Sequence, residues 1–258
     1  QGAKRIQNFK SLFEFSVLYG AGGSRSGKTV KIASYIQNTL KLDAIAHMTC
    51  VGSRREQLLE VYQALREGGV SHVLALRGDR PKDMSDEQFA SREFAHASDM
   101  IEFLHRETDL HVAGACYPEK HFESFSLESD LKNLKKKQDA GAEFFISQLF
   151  FDNDYYYSFL EKAANKGITV PICAGIMPIT SSKQLGTTIT LAGSSIPKAL
   201  ADLIAAYGDN AEEMRKAGID YAIRQIRDLQ ENGVNHIHLY TMNRPKMATE
   251  IATSIYRK

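Results

Sequence analysis

Gly22, Gly27, Lys28 and Thr29 stand at the spacing of a phosphate-binding loop, Gly-x-x-x-x-Gly-Lys-Thr, directly after the apolar run 11–19. Glycines there let backbone N–H groups turn toward phosphate oxygens, the following helix offers its N-terminus, and the lysine adds charge. A second set of polar residues gathers at the ends of apolar runs: His47, Arg77-Gly78-Asp79, Tyr117-Pro118-Glu119, Gln148 and Asn243-Arg244. Each alone reads equally as a satisfied core histidine, a turn aspartate or a buried amide. Together they are what a rim of functional side chains at strand ends requires. Beyond Tyr117, residues Asp130, Asn133 and Lys137 recur at i, i+3 and i+7, one helix face beside the Leu127/Leu131/Leu134 stripe. An acceptor, an amide and a cation on one face suit a ribityl or ribose chain and a diphosphate. Lys132, Lys135 and Lys136 read as the solvated side of the same helix. His236 and His238 share one side of a strand, but no carboxylate or cysteine accompanies them to complete a metal site.

These groups need elements to hold them. Apolar runs at 43–50, 71–79, 109–119, 143–152, 170–178 and 236–244 alternate with helical patterns at 53–69, 98–107, 126–142, 153–167, 181–207 and 211–232. Strands separated by helices pair in parallel, and near-continuous apolar strands are buried on both faces. An open doubly wound sheet and a closed barrel both satisfy that rule. Six strands follow residue 43, and SLFEFSVLY at 11–19 supplies one more or two. If SLFEF and SVLYG are separate, the total is the eight of a (β/α)8 barrel, but parallel neighbours need a crossover of about a dozen residues that this stretch lacks. The first βα unit is therefore incomplete, and omission of a segment after Phe15 is the favoured explanation. The polar stretch 80–97 reads either as a rim loop carrying chemistry or as a mobile surface loop.

The 258 residues fit a single (β/α)8 domain spanning 1–258. With 32 Lys and Arg against 31 Asp and Glu, no global field favours nucleic acid or an anionic membrane, so an anionic ligand must be held locally. Cys50, Cys116 and Cys173 are odd in number and sit in apolar runs, as reduced buried thiols of a cytoplasmic protein do. No apolar run reaches the ~18 residues of a membrane span.

In chain order the residues read YGAGG, AHMTC, LALRGD, ASD, YPE followed by His121, DLKNLKKK-x-DAGA, ISQLFFD, GIMPIT and YTMNR. This series resembles the methylenetetrahydrofolate reductases, from about residue 11 to 252. The resemblance implies a (β/α)8 barrel holding FAD at its C-terminal rim, reduced by NADH or NADPH and then reducing 5,10-methylenetetrahydrofolate to 5-methyltetrahydrofolate. It makes Glu14 the general acid that protonates folate N10, and Asp79 the carboxylate favouring the cation that develops. Tyr19, Ala21, His47, Arg77, Gly78, Asp79, His96, Ala97, Tyr117, His121, Asp130, Asn133, Lys136 and Lys137 match FAD-contacting positions. Gln148, Gln184 and Arg244 match positions on the substrate side, where folate and nicotinamide nucleotide alternate. Leu18, His96 and Thr188 depart from the family's usual Thr, Tyr and aromatic residue. A flavin-binding accessory subunit and a P-loop enzyme remain the alternatives, and the oligomeric state, a homo-oligomer included, is left open.

Overall fold

The computed structural model describes residues 15–17, 26–186 and 193–256. Strands β1 (Phe15–Val17), β2 (Ala44–Thr49), β3 (His72–Leu76), β4 (His111–Cys116), β5 (Phe144–Ser147), β6 (Ile172–Ile176) and β7 (Ile237–Leu239) follow one another in sheet order as in sequence. The helices are α1 (Ser26–Asn38), α2 (Arg55–Glu67), α3 (Asp86–Ala90), α4 (Ala97–Glu107), α5 (Leu127–Asp139), α6 (Asn153–Asn165), α7 (Lys198–Tyr207), α8 (Ala211–Glu231) and α9 (Pro245–Tyr256). Every strand is followed by a helix, and this is the α/β alternation of a (β/α)8 barrel, with seven strands among the described residues. The six strands expected after residue 43 are present. The 11–19 run contributes β1, paired in parallel with β2 through Phe15↔Ala44, Ser16↔Ile45 and Val17↔Ala46.

The chain divides into two compact units. Among the described residues the N-terminal unit holds 15–17, 26–115 and Lys135–Phe145. Its strands β2 and β3 run parallel from Ile45↔His72 to Thr49↔Leu76, and β3 pairs with β4 in the same sense. Cys50 N–H to Leu76 O (3.1 Å) and Val51 N–H to Arg77 O (2.8 Å) carry the ladder to the residues that end it. α4 forms because Ala97, Met100, Ile101 and Leu104 bury one face at i, i+3, i+4 and i+7, and Asp99 caps it by accepting from His96 N–H at 2.9 Å.

The C-terminal unit holds Cys116–Leu134, 146–186 and 193–256. Its core stacks Phe150 on Tyr156, ring centroids 4.8 Å apart, beside fully buried Phe159. Each such side chain removes enough apolar surface from water to be worth about 2–3 kcal/mol. A second cluster joins Leu149, Phe151, Met177, Ile179, Leu185, Leu200 and Met214 under the ends of β5 and β6. Gly218 lets α8 lie on the chain after β6, because a Cβ there would come within 1.8 Å of Ile179 O.

Two stretches differ from the sequence expectation. The 80–97 segment contains α3, begun by Ser85, whose Oγ accepts from Gln88 N–H (3.1 Å) while Gln88 Oε1 accepts from Ser85 N–H (2.9 Å). This reciprocal cap, spelled S-x-x-Q, folds what otherwise reads as polar loop. The helical stretch 181–207 is divided into helical residues 182–186 and α7. Between them Gly193 takes φ +67° and Pro197 stands extended as the cap of α7.

Candidate active site

In the N-terminal unit, the ends of β2 and β3 and the start of α4 carry the expected cofactor residues. His47 lies buried in β2 and is hydrogen-bonded to Ser16 Oγ of neighbouring β1. Gly78 takes φ +83°, and a Cβ at that position would stand 2.8 Å from Val51 Cγ1 and 3.0 Å from Thr49 Cβ. Only glycine fits that turn, which sets the half-buried Arg77 on one side and the exposed Asp79 on the other. His96 is exposed at the α4 cap, and Ala97 is buried as the helix begins. Cys50 Sγ approaches His96 O at 3.7 Å. Burial, with the Asp99 carboxylate nearby, pushes the Cys50 thiol up to about 11, so it stays protonated and serves as a weak donor.

α5 belongs to both units and carries four of the expected residues. Leu131 and Leu134 are buried, whereas Asn133 and Lys136 are exposed. Lys137 Nζ donates to Ala115 O of β4 at 2.7 Å, within the N-terminal unit. In the C-terminal unit Asp130 uses both carboxylate oxygens, since Oδ2 accepts from His121 N–H at 2.9 Å and Oδ1 from Ser124 Oγ at 3.0 Å. The carboxylate thus orders the loop after β4. Within that loop the Tyr117 and His121 rings meet edge to face at 4.6 Å, and His121 stacks on Phe122 at 4.5 Å. His121 Nδ1 accepts from Glu123 N–H at 3.1 Å, so the neutral ring carries its proton on Nε2.

The residues expected on the substrate side also belong to the C-terminal unit. Gln148 N–H donates to Cys116 O at 2.7 Å, and its side-chain oxygen accepts from Leu149 N–H at 3.0 Å, leaving the NH2 as the donor end. Gln184 is committed at both ends: Oε1 accepts from Thr180 N–H (3.1 Å) and Thr180 Oγ1 (3.2 Å), and Nε2 donates to Pro178 O (3.1 Å). Arg244 Nη1 donates to the same Thr180 hydroxyl. Met242 and Asn243, at φ +48° and +57°, make the turn that delivers Arg244. Thr180 therefore joins Gln184 to Arg244. Sequence reasoning places it inside GIMPIT and assigns it no part. Glu119 of the YPE run accepts from Ser195 N–H at 2.9 Å through Oε2, while Oε1 is buried with no partner among the described residues.

Glu14, Tyr19 and Ala21, with the departures Leu18 and Thr188, lie outside the described residues. Of the phosphate-loop spelling, Gly27, Lys28 and Thr29 fall in the first turns of α1, Lys28 exposed and Thr29 buried. Among the described residues no group of three or more His, Cys, Asp or Glu side chains is arranged to hold a metal ion. The described cysteines form no disulfide, Cys173 being partly exposed rather than buried, and no described helix is long and apolar enough to cross a membrane.

Similarity to known proteins identifies the family of the chain. The model of the methylenetetrahydrofolate reductase family matches residues 1–256. The 5,10-methylenetetrahydrofolate reductase of Pectobacterium carotovorum subsp. carotovorum is 33% identical over 97% of this chain and 82% of the relative. That of Escherichia coli (strain K12) is 32% identical over the same shares. The chain belongs to the methylenetetrahydrofolate reductase family, whose members are oxidoreductases of folate one-carbon metabolism. A solved structure of an uncharacterized protein from Clostridium thermocellum, which binds two copies of 5-methyl-5,6,7,8-tetrahydrofolic acid, matches with TM-score 0.56 at 15% identity. That match covers 98% of each chain and is a likeness of fold.

Proposed function

We propose that this protein reduces 5,10-methylenetetrahydrofolate to 5-methyltetrahydrofolate, drawing on NADH or NADPH through FAD. The match of the family model to residues 1–256 carries the proposal. Within the N-terminal unit Arg77, Lys136 and Lys137 are cations suited to a diphosphate, and within the C-terminal unit Asp130 and Asn133 are partners suited to ribityl or ribose hydroxyls. Gly78 lets the turn after β3 pack against Val51 and Thr49, where a Cβ would clash, and so sets the backbone on which Arg77 and Asp79 stand. His47, His96, Ala97, Tyr117 and His121, with Tyr19 and Ala21, complete the cofactor-binding set, and Gln148, Gln184 and Arg244 hold the substrates. Bound FAD supplies a two-electron relay from the nicotinamide to the folate carbon.

The protein's own groups then supply protons and charge. Glu14, flanked by Phe13 and Phe15, is the acid that gives a proton to folate N10, so that the C–N bond to the bridging carbon breaks and an iminium cation remains. Asp79 lowers the energy of that cation by its negative charge and is not itself consumed. The Thr180 hydroxyl, held between Gln184 and Arg244, keeps both substrate residues in place. Thiols outside any disulfide suit a reducing, cytoplasmic setting. The half-reactions separate the roles: Glu14→Gln should leave reduction of bound flavin by NAD(P)H within a few-fold of wild type while folate reduction falls about a hundredfold or more. Equal loss in both halves would remove Glu14 from the acid role.

A further inference from the structure

The 80–96 segment is built around one ring. Guanidinium carbons of Arg80 and Arg92 lie 5.1 and 3.9 Å from the Phe89 ring centroid. Arg80 is anchored by Met84 O at 2.7 Å and by the Asp86 carboxylate, also at 2.7 Å, in the first turn of the short helix itself. Arg92 spans the segment, with Nη1 donating to Phe89 O and Nη2 to Ala95 O at 2.8 Å. Its Nε is buried with no acceptor among the described residues. Ala95 O precedes His96 and Ala97. His96 is gripped again by Asp99 on its N–H and by Cys50 Sγ near its carbonyl, while neighbouring Phe94 is buried against Phe103 at 5.5 Å.

We infer that Arg92 is a positioning residue for cofactor binding: by bridging Phe89 O and Ala95 O over the Phe89 face, it fixes the peptide that presents His96 and Ala97. The inference rests on the assignment of FAD to His96 and Ala97. A planar, forked cation is needed, because an ammonium cannot lie flat on a ring and reach two separated carbonyls together. Charge alone would not do this.

The test is titration of apoprotein with FAD, followed by flavin fluorescence and visible circular dichroism, with the apoprotein melting temperature as control. Arg92→Met should weaken FAD roughly tenfold, equivalent to about 1.4 kcal/mol, and alter the dichroism of the bound flavin. The apoprotein should melt within about 2 °C of wild type, since Phe89 and Arg92 are only partly buried and the short helix α3 contributes no residue to the core. Arg92→Lys should not restore binding. Full rescue by lysine, or unchanged FAD affinity in Arg92→Met, would overturn the positioning role. If Arg92→Met does not fold, Phe89→Leu decides, with a several-fold loss expected and unchanged affinity contradicting the inference. Wild-type protein that takes up no FAD would overturn the cofactor assignment itself and the inference with it, whereas wild type that binds alongside unaffected variants would overturn the inference alone.

Discussion

Gly78 shows how one residue without a side chain holds two that have chemistry. Its φ of +83° and the 2.8 Å approach to Val51 Cγ1 leave no room for a methyl group, so Gly78→Ala must both strain the backbone and push Arg77 and Asp79 from their places. The expected cost is about 1–3 kcal/mol in urea unfolding, with weaker FAD retention alongside. An alanine variant as stable as wild type would show that the turn relaxes freely. Sequence could point to Arg77-Gly78-Asp79 only as one of a series of polar strand ends, and through the family resemblance of LALRGD. It could not show that Asp130 spends both carboxylate oxygens on His121 N–H and Ser124 Oγ, or that Thr180 joins Gln184 to Arg244. Those partners are loop backbone and hydroxyl groups whose positions depend on how each loop folds.

At the level of elements, the alternating apolar runs locate the six strands after residue 43, since burial on both faces writes a strand plainly into composition. The helices of 53–69, 98–107, 126–142 and 153–167 are equally legible from periodicity. Illegible are α3, too short for a periodic signal, and the division of 181–207, where Gly193 and Pro197 outweigh the helical pattern. Strand β7 carries a testable consequence of its own. His238 meets Tyr240 edge to face at 4.8 Å, and desolvation pushes its imidazole down to about 4. The unfolded chain binds that proton near pH 6.5, so stability is lost as pH falls from about 6.5 toward about 4 and is whole above that window. Replacing the residue by His238→Gln should flatten the pH dependence of urea unfolding in that window, by a fraction of the about 1.4 kcal/mol per pH unit that one proton can contribute. An unchanged slope would mean that His238 is hydrated in the native strand.

For the whole molecule, near-balanced charge removes long-range attraction as an explanation for binding, so ligands must be recognised by local groups. Family membership over 1–256 accounts for the Gly22-to-Thr29 phosphate-loop spelling without requiring a nucleotide triphosphate. Everything proposed for the site depends on two electrons passing from a nicotinamide nucleotide to methylenetetrahydrofolate at this chain's own residues. The anaerobic visible spectrum of the purified protein decides it, recorded first with NADH or NADPH and then with 5,10-methylenetetrahydrofolate. A flavin spectrum should bleach with the nucleotide and return with the folate, one 5-methyltetrahydrofolate appearing for each flavin reoxidised. A colourless protein that FAD cannot reconstitute, or a reduced flavin that the folate leaves reduced, would contradict that transfer.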